Sequence, residues 1–111
     1  MSLNVVLTDD FTQDLDLQLE WYREQRDEEL GLAYIRAVDQ TMRELAEHPT
    51  LGTQCRFRPE RLAGLRRRVV NKPFQSNLVF YRVEGNDLIG FRAISGWRDI
   101  PRRLLDPPGA L

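Results

Sequence analysis

The chain has 111 residues, of which 41% are hydrophobic and 30% charged, a composition typical of one globular domain and unlike that of a disordered chain. No apolar run approaches the roughly 20 residues of a membrane helix, and the N-terminus lacks a signal-peptide pattern, so we expect a cytoplasmic protein. One cysteine and one histidine are too few for an internal disulfide or a metal site. We therefore expect neither a metal nor a cofactor.

The net charge of −1 conceals a separation of charge between the two halves. Residues 1–55 carry twelve acids and four bases, a charge of −8, whereas residues 56–111 carry five acids and twelve bases, a charge of +7. Fifteen of the sixteen bases are arginine, which binds phosphate and carboxylate in a planar, bidentate manner, although high genomic GC content also enriches arginine. A basic second half favours an anionic partner.

The first half predicts a strand followed by two helices. Residues 3–7 (LNVVL) form a short apolar run with two valines, which is typical of a buried strand. A helix is expected to start near Phe11 behind a cap at Asp10, and a second helix to start behind a cap at Asp27. The second helix should end at His48, because the residue before a proline is disfavoured in the helical region.

The second half predicts a loop and three strands. Residues 49–64 contain two prolines and two glycines without a sustained period and are expected to form an ordered loop. The runs LRRRVV (65–70), SNLVFYRV (76–83) and DLIGFRAIS (87–95) indicate antiparallel strands, the last two joined by a tight turn.

The order β-α-α-β-β-β predicts an α+β fold in which a helical hairpin packs on one face of a small antiparallel sheet. We expect a single domain over residues 1–105. Residues 106–111, which contain two prolines and a glycine, are expected to be a flexible tail.

Two-residue alternation predicts a basic surface on the sheet face that the helices leave open. In the last strand, alternation places Leu88, Gly90, Arg92 and Ile94 on this open side. An apolar floor with an arginine rim fits an anionic or amphipathic ligand. The alternatives are that the arginines form a solvated face, or that Arg82 and Arg92 are cross-strand neighbours held by Glu84 or Asp87 of the same chain and are therefore structural. The predicted binding site consists of Arg66, Arg67, Arg68, Lys72, Leu78, Phe80, Arg82, Arg92, Trp97 and Arg98.

The sequence offers few groups for catalysis. It contains no second histidine, no nucleophile beside a base and no phosphate-binding glycine loop. Phosphodiester cleavage could use arginine, lysine and tyrosine through charge stabilisation, but alternation places Tyr81 on the helix-covered face. Trp97 could stack on a base, although a tryptophan in a core or an interface is more common. Binding is therefore favoured over catalysis.

Four segments, in order and spacing, resemble the RelE/ParE superfamily of bacterial toxin–antitoxin toxins over nearly the whole chain. The resemblance implies a helical hairpin on a small antiparallel sheet. It also implies a cytoplasmic toxin with a role in plasmid stabilisation, which a small cognate antitoxin inactivates in a hetero-oligomeric complex. The segments are LAEHPTLG (45–52), GLRRRVV (64–70), NLVFYRVEGNDL (77–88) and RAISGWRDIPRRLL (92–105).

The resemblance covers two activities, and the residues favour one of them. RelE-like members cleave mRNA on the ribosome, whereas ParE-like members inhibit DNA gyrase by binding. Arg98 matches a functional arginine of RelE-like toxins, but Leu78 and Leu104 stand where those toxins have an arginine and the catalytic tyrosine. We therefore expect a ParE-like gyrase inhibitor that is not an enzyme. The alternatives are a RelE-like mRNA interferase, with Arg98, Arg68 and Lys72 as catalytic candidates, and a nucleic-acid-binding module that is not a toxin.

Overall fold

The computed structural model describes residues 2–110, which form a five-stranded sheet with two long helices on one face. The sheet order is β1-β5-β4-β3-β2, and β1 runs parallel to β5 while the other neighbours are antiparallel. The predicted α+β fold with a helical hairpin is confirmed, and β1 makes its sheet a mixed one. The elements are β1 (Asn4–Leu7), α1 (Asp9–Glu24), α2 (Glu28–Glu47), β2 (Thr53–Gln54), β3 (Arg66–Val69), β4 (Asn77–Glu84), β5 (Asp87–Ser95) and α3 (Ile100–Leu105).

Side-chain caps begin both long helices. The Thr8 hydroxyl accepts the backbone N–H three residues later at 3.1 Å, so α1 begins at Asp9 and not near Phe11 behind Asp10. The Asp27 carboxylate accepts the corresponding N–H of α2 at 3.2 Å, which confirms the predicted cap. The C-cap of α2 is His48, as expected from the proline that follows.

Two clusters of buried side chains lie on opposite faces of the sheet. The first joins the sheet to the helical hairpin and is built around Phe11, Tyr34, Val38, Leu45, Val79, Tyr81 and Leu88. The second consists of Leu62, Leu65, Leu78, Phe80, Ile94 and Leu104. The loop before β3 and the short helix α3 therefore cover the face that alternation left open. The removal of apolar surface from water stabilises the packing of the loop and α3 on this face.

A β-bulge in β5 changes the side on which its residues lie. The pairing of β4 with β5 shifts register at Phe91, which has no residue opposite it. Leu88 and Gly90 consequently face the helices, whereas Arg92 and Ile94 face the second cluster. The prediction that all four share one side is wrong, because one extra residue reverses a period of two.

The strand β1 lies at an edge of the sheet. The N–H groups of Asn4 and Thr8 donate to carbonyls at the β5 side at 2.9 and 3.0 Å. In a strand, the backbone N–H and C=O groups of successive residues point to alternate sides. Those of Val5 and Leu7 therefore point away from β5. Val5, Val6 and Leu7 are 41%, 43% and 39% exposed. The strand prediction is confirmed, but the expectation that the strand is buried is wrong, because only one of its edges is paired.

Candidate functional site

The three consecutive arginines of β3 lie on alternating sides of the sheet. Arg66 and Arg68 are on the helix side, where they donate to the carbonyls of Gly52 and Leu51 at 2.8 and 3.4 Å. Arg67 is on the opposite side. Within residues 2–110, no carboxylate lies within ion-pair distance of any of the three. Their positive charges therefore remain available to an external anion.

Arg67 and Trp97 line a surface cleft of about 140 Å³, which we call the Arg67–Trp97 cleft. The guanidinium carbon of Arg67 lies 5.6 Å from the centroid of the Trp97 ring, a cation–π contact. The chain reaches Trp97 through Gly96, whose φ of 82° lets it turn away from β5. The cleft is lined by Leu51, Thr53, Arg67, Arg68, Val69, Leu78 and Trp97. Four of the predicted residues, Arg67, Arg68, Leu78 and Trp97, thus come together at this cleft.

Two further predicted residues, Lys72 and Arg98, are exposed but do not line the cleft. Lys72 lies in the loop between β3 and β4, and Arg98 follows Trp97 in the turn before α3. In the described part of the chain, neither forms an ion pair. Their role in binding stays a prediction.

Arg92 is 3% exposed, so the prediction that it lies on an open surface is wrong. Its Nε and Nη2 donate to the two carboxylate oxygens of Asp14 at 2.7 and 3.0 Å. Its Nη1 donates to the carbonyls of Arg103 and Asp106 at 2.8 and 2.6 Å, at the C-terminal end of α3. Arg92 is therefore structural, as in the alternative, but its carboxylate partner is Asp14 and not Glu84 or Asp87. Arg92 ties α1, β5 and α3 together.

Arg82, Leu78 and Phe80 also serve the fold. Arg82 donates to the carbonyls of Ala63 and Arg61 at 3.0 and 3.1 Å, which fastens the loop before β3 to the sheet. Leu78 and Phe80 are 1% and 0% exposed. The expectation that they form the floor of an open hollow is wrong, because the loop and α3 pack over this face, although Leu78 still lines one side of the Arg67–Trp97 cleft.

The Tyr81 hydroxyl is enclosed between two backbone groups. It donates to the carbonyl of Pro49 at 2.7 Å and accepts the N–H of Gly52 at 2.9 Å. Burial raises the pKa of Tyr81, and the nearby Arg66 and Arg68 offset this only in part. The predicted position on the helix-covered face is confirmed. A buried phenol with a raised pKa is poorly suited to exchange a proton with a substrate at neutral pH.

Replacing Tyr81 with phenylalanine is expected to lower the free energy of unfolding by about 1–3 kcal/mol, because the N–H of Gly52 and the carbonyl of Pro49 lose their partner. Urea denaturation followed by circular dichroism would measure the change. Tyr22→Phe is the control, since it removes a hydroxyl from the same core for which no hydrogen bond is seen among residues 2–110. Equal losses in the two variants would contradict the role of the Tyr81 hydroxyl.

A second surface, which the sequence analysis missed, lies beside β1. An apolar groove of about 170 Å³ runs between α1, α2 and β1, and we call it the β1 groove. The run LNVVL is the only signal of this groove in the sequence, and its apolar residues fit a buried strand equally well. The groove is lined by Val5, Leu7, Phe11, Leu15, Ile35, Val38, Asp39 and Met42. An apolar groove beside an open strand edge is suited to an extended peptide segment.

Beyond the end of β1, side chains cover the outer edge of β5. Three side chains form hydrogen bonds with the β5 backbone groups that point away from β4, so these groups are not free to pair with an added strand. The other edge strand, β2, has only two residues. The edge of β1 is therefore the best place on this sheet for strand addition. The bonded pairs are Thr8 with Phe91 at 2.9 Å, Asp14 with Ala93 at 3.0 Å and Arg103 with Ser95 at 2.6 Å.

The remaining chemical groups are few. Burial raises the pKa of the Cys55 thiol, which disfavours the nucleophilic thiolate. Residues 2–110 contain no group of three or more histidine, cysteine, aspartate or glutamate side chains placed to hold a metal ion. None of the helices in this range is both long and apolar enough to cross a membrane.

Comparisons with known proteins agree with this architecture. The family model described as "ParE toxin of type II toxin-antitoxin system, parDE" matches residues 5–101. A solved structure described as "Chromosomal ParDE TA system from P. aeruginosa" is similar in fold, with a TM-score of 0.68 and 18% sequence identity. The similarity covers 86% of this chain and 98% of that chain. No curated protein matches the sequence.

Proposed function

Because the chain belongs to the family of ParE toxins of type II toxin–antitoxin systems, we propose that it is the toxin of such a pair. Free of its partner it arrests growth, and a cognate antitoxin holds it inactive in a hetero-oligomeric complex. The observation that carries this proposal is the family match over residues 5–101. The predicted RelE/ParE resemblance is thereby confirmed at the level of the family, closer to its ParE-like branch.

The proposed target is DNA gyrase, and the proposed mode is binding. Three residues support binding over the mRNA cleavage of RelE-like toxins. The Tyr81 hydroxyl is enclosed by backbone groups. Leu78 and Leu104, which the resemblance aligns with an arginine and a tyrosine of RelE-like toxins, are 1% and 2% exposed. Buried leucines can neither neutralise a phosphate nor transfer a proton.

We assign antitoxin binding to the edge of β1 and the β1 groove. An extended antitoxin segment would pair with the outward backbone groups of Val5 and Leu7, and its apolar side chains would enter the groove. The pairing would satisfy backbone groups and bury half-exposed apolar side chains in one step. The partly exposed Arg67 and Arg68 of the Arg67–Trp97 cleft are left for other partners, as are Arg66, Lys72 and Arg98 outside the cleft.

Two valines of β1 give a matched test of this assignment. Val5 and Val6 are 41% and 43% exposed, but only Val5 lines the groove. We expect Val5→Glu to weaken antitoxin binding by about 100-fold or more, because it buries an unpaired carboxylate in the interface. Val6→Glu, whose side chain points to the other face, is expected to weaken binding far less. Calorimetric titration with the antitoxin would give both affinities.

Growth of induced cells tests the toxin proposal itself. We expect the wild-type chain to arrest growth when produced alone and to be neutralised when its antitoxin is produced with it. Val5→Glu should arrest growth in both cases. A chain that fails to arrest growth contradicts the toxin proposal, whereas a Val5→Glu chain that is still neutralised contradicts only the β1 assignment. A DNA supercoiling assay then tests whether the chain inhibits gyrase. Ribosome-dependent mRNA cleavage without gyrase inhibition would overturn gyrase as the target.

A further inference from the structure

We propose that the Arg67–Trp97 cleft binds single-stranded nucleic acid, with one base stacked on Trp97 and the neighbouring phosphates neutralised by Arg67 and Arg68. This binding site goes beyond gyrase inhibition and antitoxin neutralisation. It stands on the geometry of the cleft and not on the identity of the toxin's protein target.

The Trp97 ring is exposed yet held in place. Trp97 is 54% exposed, and the Arg67 guanidinium carbon lies 5.6 Å from the centroid of its ring. The backbone is in the left-handed region directly before Trp97, with φ of 82° at Gly96, and again two residues after it, with φ of 52° at Asp99. A non-glycine residue with positive φ is uncommon and often marks a functional site. An oriented, accessible indole is suited to stack on a base.

The charges around the ring suit a phosphate backbone. Arg67 and Arg68 line the cleft, and Arg66 precedes them on β3. Arg66 and Arg68 each donate one hydrogen bond to a loop carbonyl, so most N–H donors of their guanidinium groups stay unused. Because no carboxylate of the described chain pairs with Arg67 or Arg68, both can bind a phosphate at the cleft without first breaking an ion pair.

The distribution of charge over the chain supports the same ligand class. The sequence up to residue 55, which forms β1, the helical hairpin and the two-residue strand β2, carries twelve acids and four bases. The net positive charge of the second half attracts a polyanion towards the strands β3 to β5. This field orients an approaching nucleic acid towards the cleft and away from the helices.

The apolar part of the cleft distinguishes a nucleic acid strand from other anions. Leu51 and Val69 are 46% and 37% exposed at the cleft, beside the indole of Trp97. A base presents an apolar face to such a surface while its phosphates remain in water near the arginines. An acidic peptide would use the guanidinium groups but has no flat ring for the indole. A duplex keeps its bases stacked on one another, so a single strand is the better ligand.

The chain contains two tryptophans, which allows a direct spectroscopic test. In a full-length Trp21→Phe variant, the emission of Trp97 alone would be followed while a short single-stranded oligothymidylate is added. We expect saturable quenching, because the stacked base contacts the indole. The logarithm of the binding constant should fall with the logarithm of salt concentration by about 0.7 per neutralised phosphate. Trp97→Ala, measured with a labelled oligothymidylate, should weaken binding by about tenfold or more.

A pair of double variants controls for net charge. Arg67→Ala/Arg68→Ala is expected to lower the affinity and to reduce the salt dependence by about 1.4, the share of two phosphates. Arg36→Ala/Arg43→Ala removes the same charge from exposed positions of α2 and is expected to leave most of the binding intact. Equal losses in the two double variants would overturn the proposal. The proposal would also be overturned if duplex DNA bound as tightly as the single strand. It would likewise be overturned if an acidic peptide bound at the cleft and the oligonucleotide did not.

Discussion

Replacing Asp14 with asparagine is expected to lower the free energy of unfolding by about 3–5 kcal/mol, although the two side chains have nearly the same shape. Arg92, which is 3% exposed, would keep its charge but lose the carboxylate that neutralises it. The carbonyls at the end of α3 remain as hydrogen-bond partners, but they carry no compensating full charge. Urea denaturation followed by circular dichroism would measure the loss.

The control for this prediction is Asp16→Asn, because it removes the same charge from an exposed position of α1. A change within about 0.5 kcal/mol is expected there. The double variant Asp14→Asn/Arg92→Met should be more stable than Asp14→Asn alone, since it no longer buries an unpaired charge. If Asp14→Asn is no worse than Asp16→Asn, the buried ion pair does not stabilise the fold.

Replacing Phe80 with alanine is expected to lower the free energy of unfolding by about 3–5 kcal/mol. Phe80 is 0% exposed and packs in the second cluster, between the sheet and the covering formed by the loop before β3 and α3. Truncation to alanine removes most of a buried aromatic side chain and leaves a cavity that the surrounding side chains fill only in part. Thermal and urea denaturation would both report the loss.

Val83→Ala provides the comparison on the same strand. Val83 is 45% exposed, so its truncation leaves no cavity, and a loss below about 1 kcal/mol is expected. A Phe80→Ala variant that is as stable as Val83→Ala would show that the second cluster is not a core. The face opposite the helices would then be open, as alternation of the strand residues predicts.

The helical hairpin could be predicted because its signals are local. The cap at Asp27 and the end at His48 depend on residues a few positions away, and both are confirmed. The error at the start of α1 is also local, since Thr8 precedes Asp10 and takes the capping position first. Short-range chemistry of this kind is readable in a single sequence.

The sheet was predicted less well because its geometry depends on distant partners. An apolar run such as LNVVL fits a buried central strand and an edge strand equally well, and only the parallel pairing with β5 decides between them. Because of the extra residue Phe91, the residues before it in β5 lie on the opposite face of the sheet from the one that alternation predicts. The one sign of the bulge in the run DLIGFRAIS is Gly90, which stands directly before it, but a glycine inside a strand can equally mark a close approach of the backbone to a neighbour.

The candidate site shows the same limit at the level of side chains. Arg67, Arg68 and Trp97 come together as the basic character of the second half suggested. Arg92 does not join them, because its partner Asp14 is 78 positions earlier in the chain. In the sequence, Asp14 is one of many acids on an amphipathic helix. Which arginine is exposed and which is buried is therefore decided by tertiary packing.

The open edge of β1 has a consequence for handling the protein without a partner. A strand with unpaired backbone groups and half-exposed Val5, Val6 and Leu7 can add a strand from any neighbouring molecule, including a second copy of the chain. At high concentration the isolated toxin is therefore prone to self-association and aggregation through this strand. An antitoxin that covers the edge would act as a chaperone for the toxin as well as its inhibitor, and co-production would raise the yield of dispersed material.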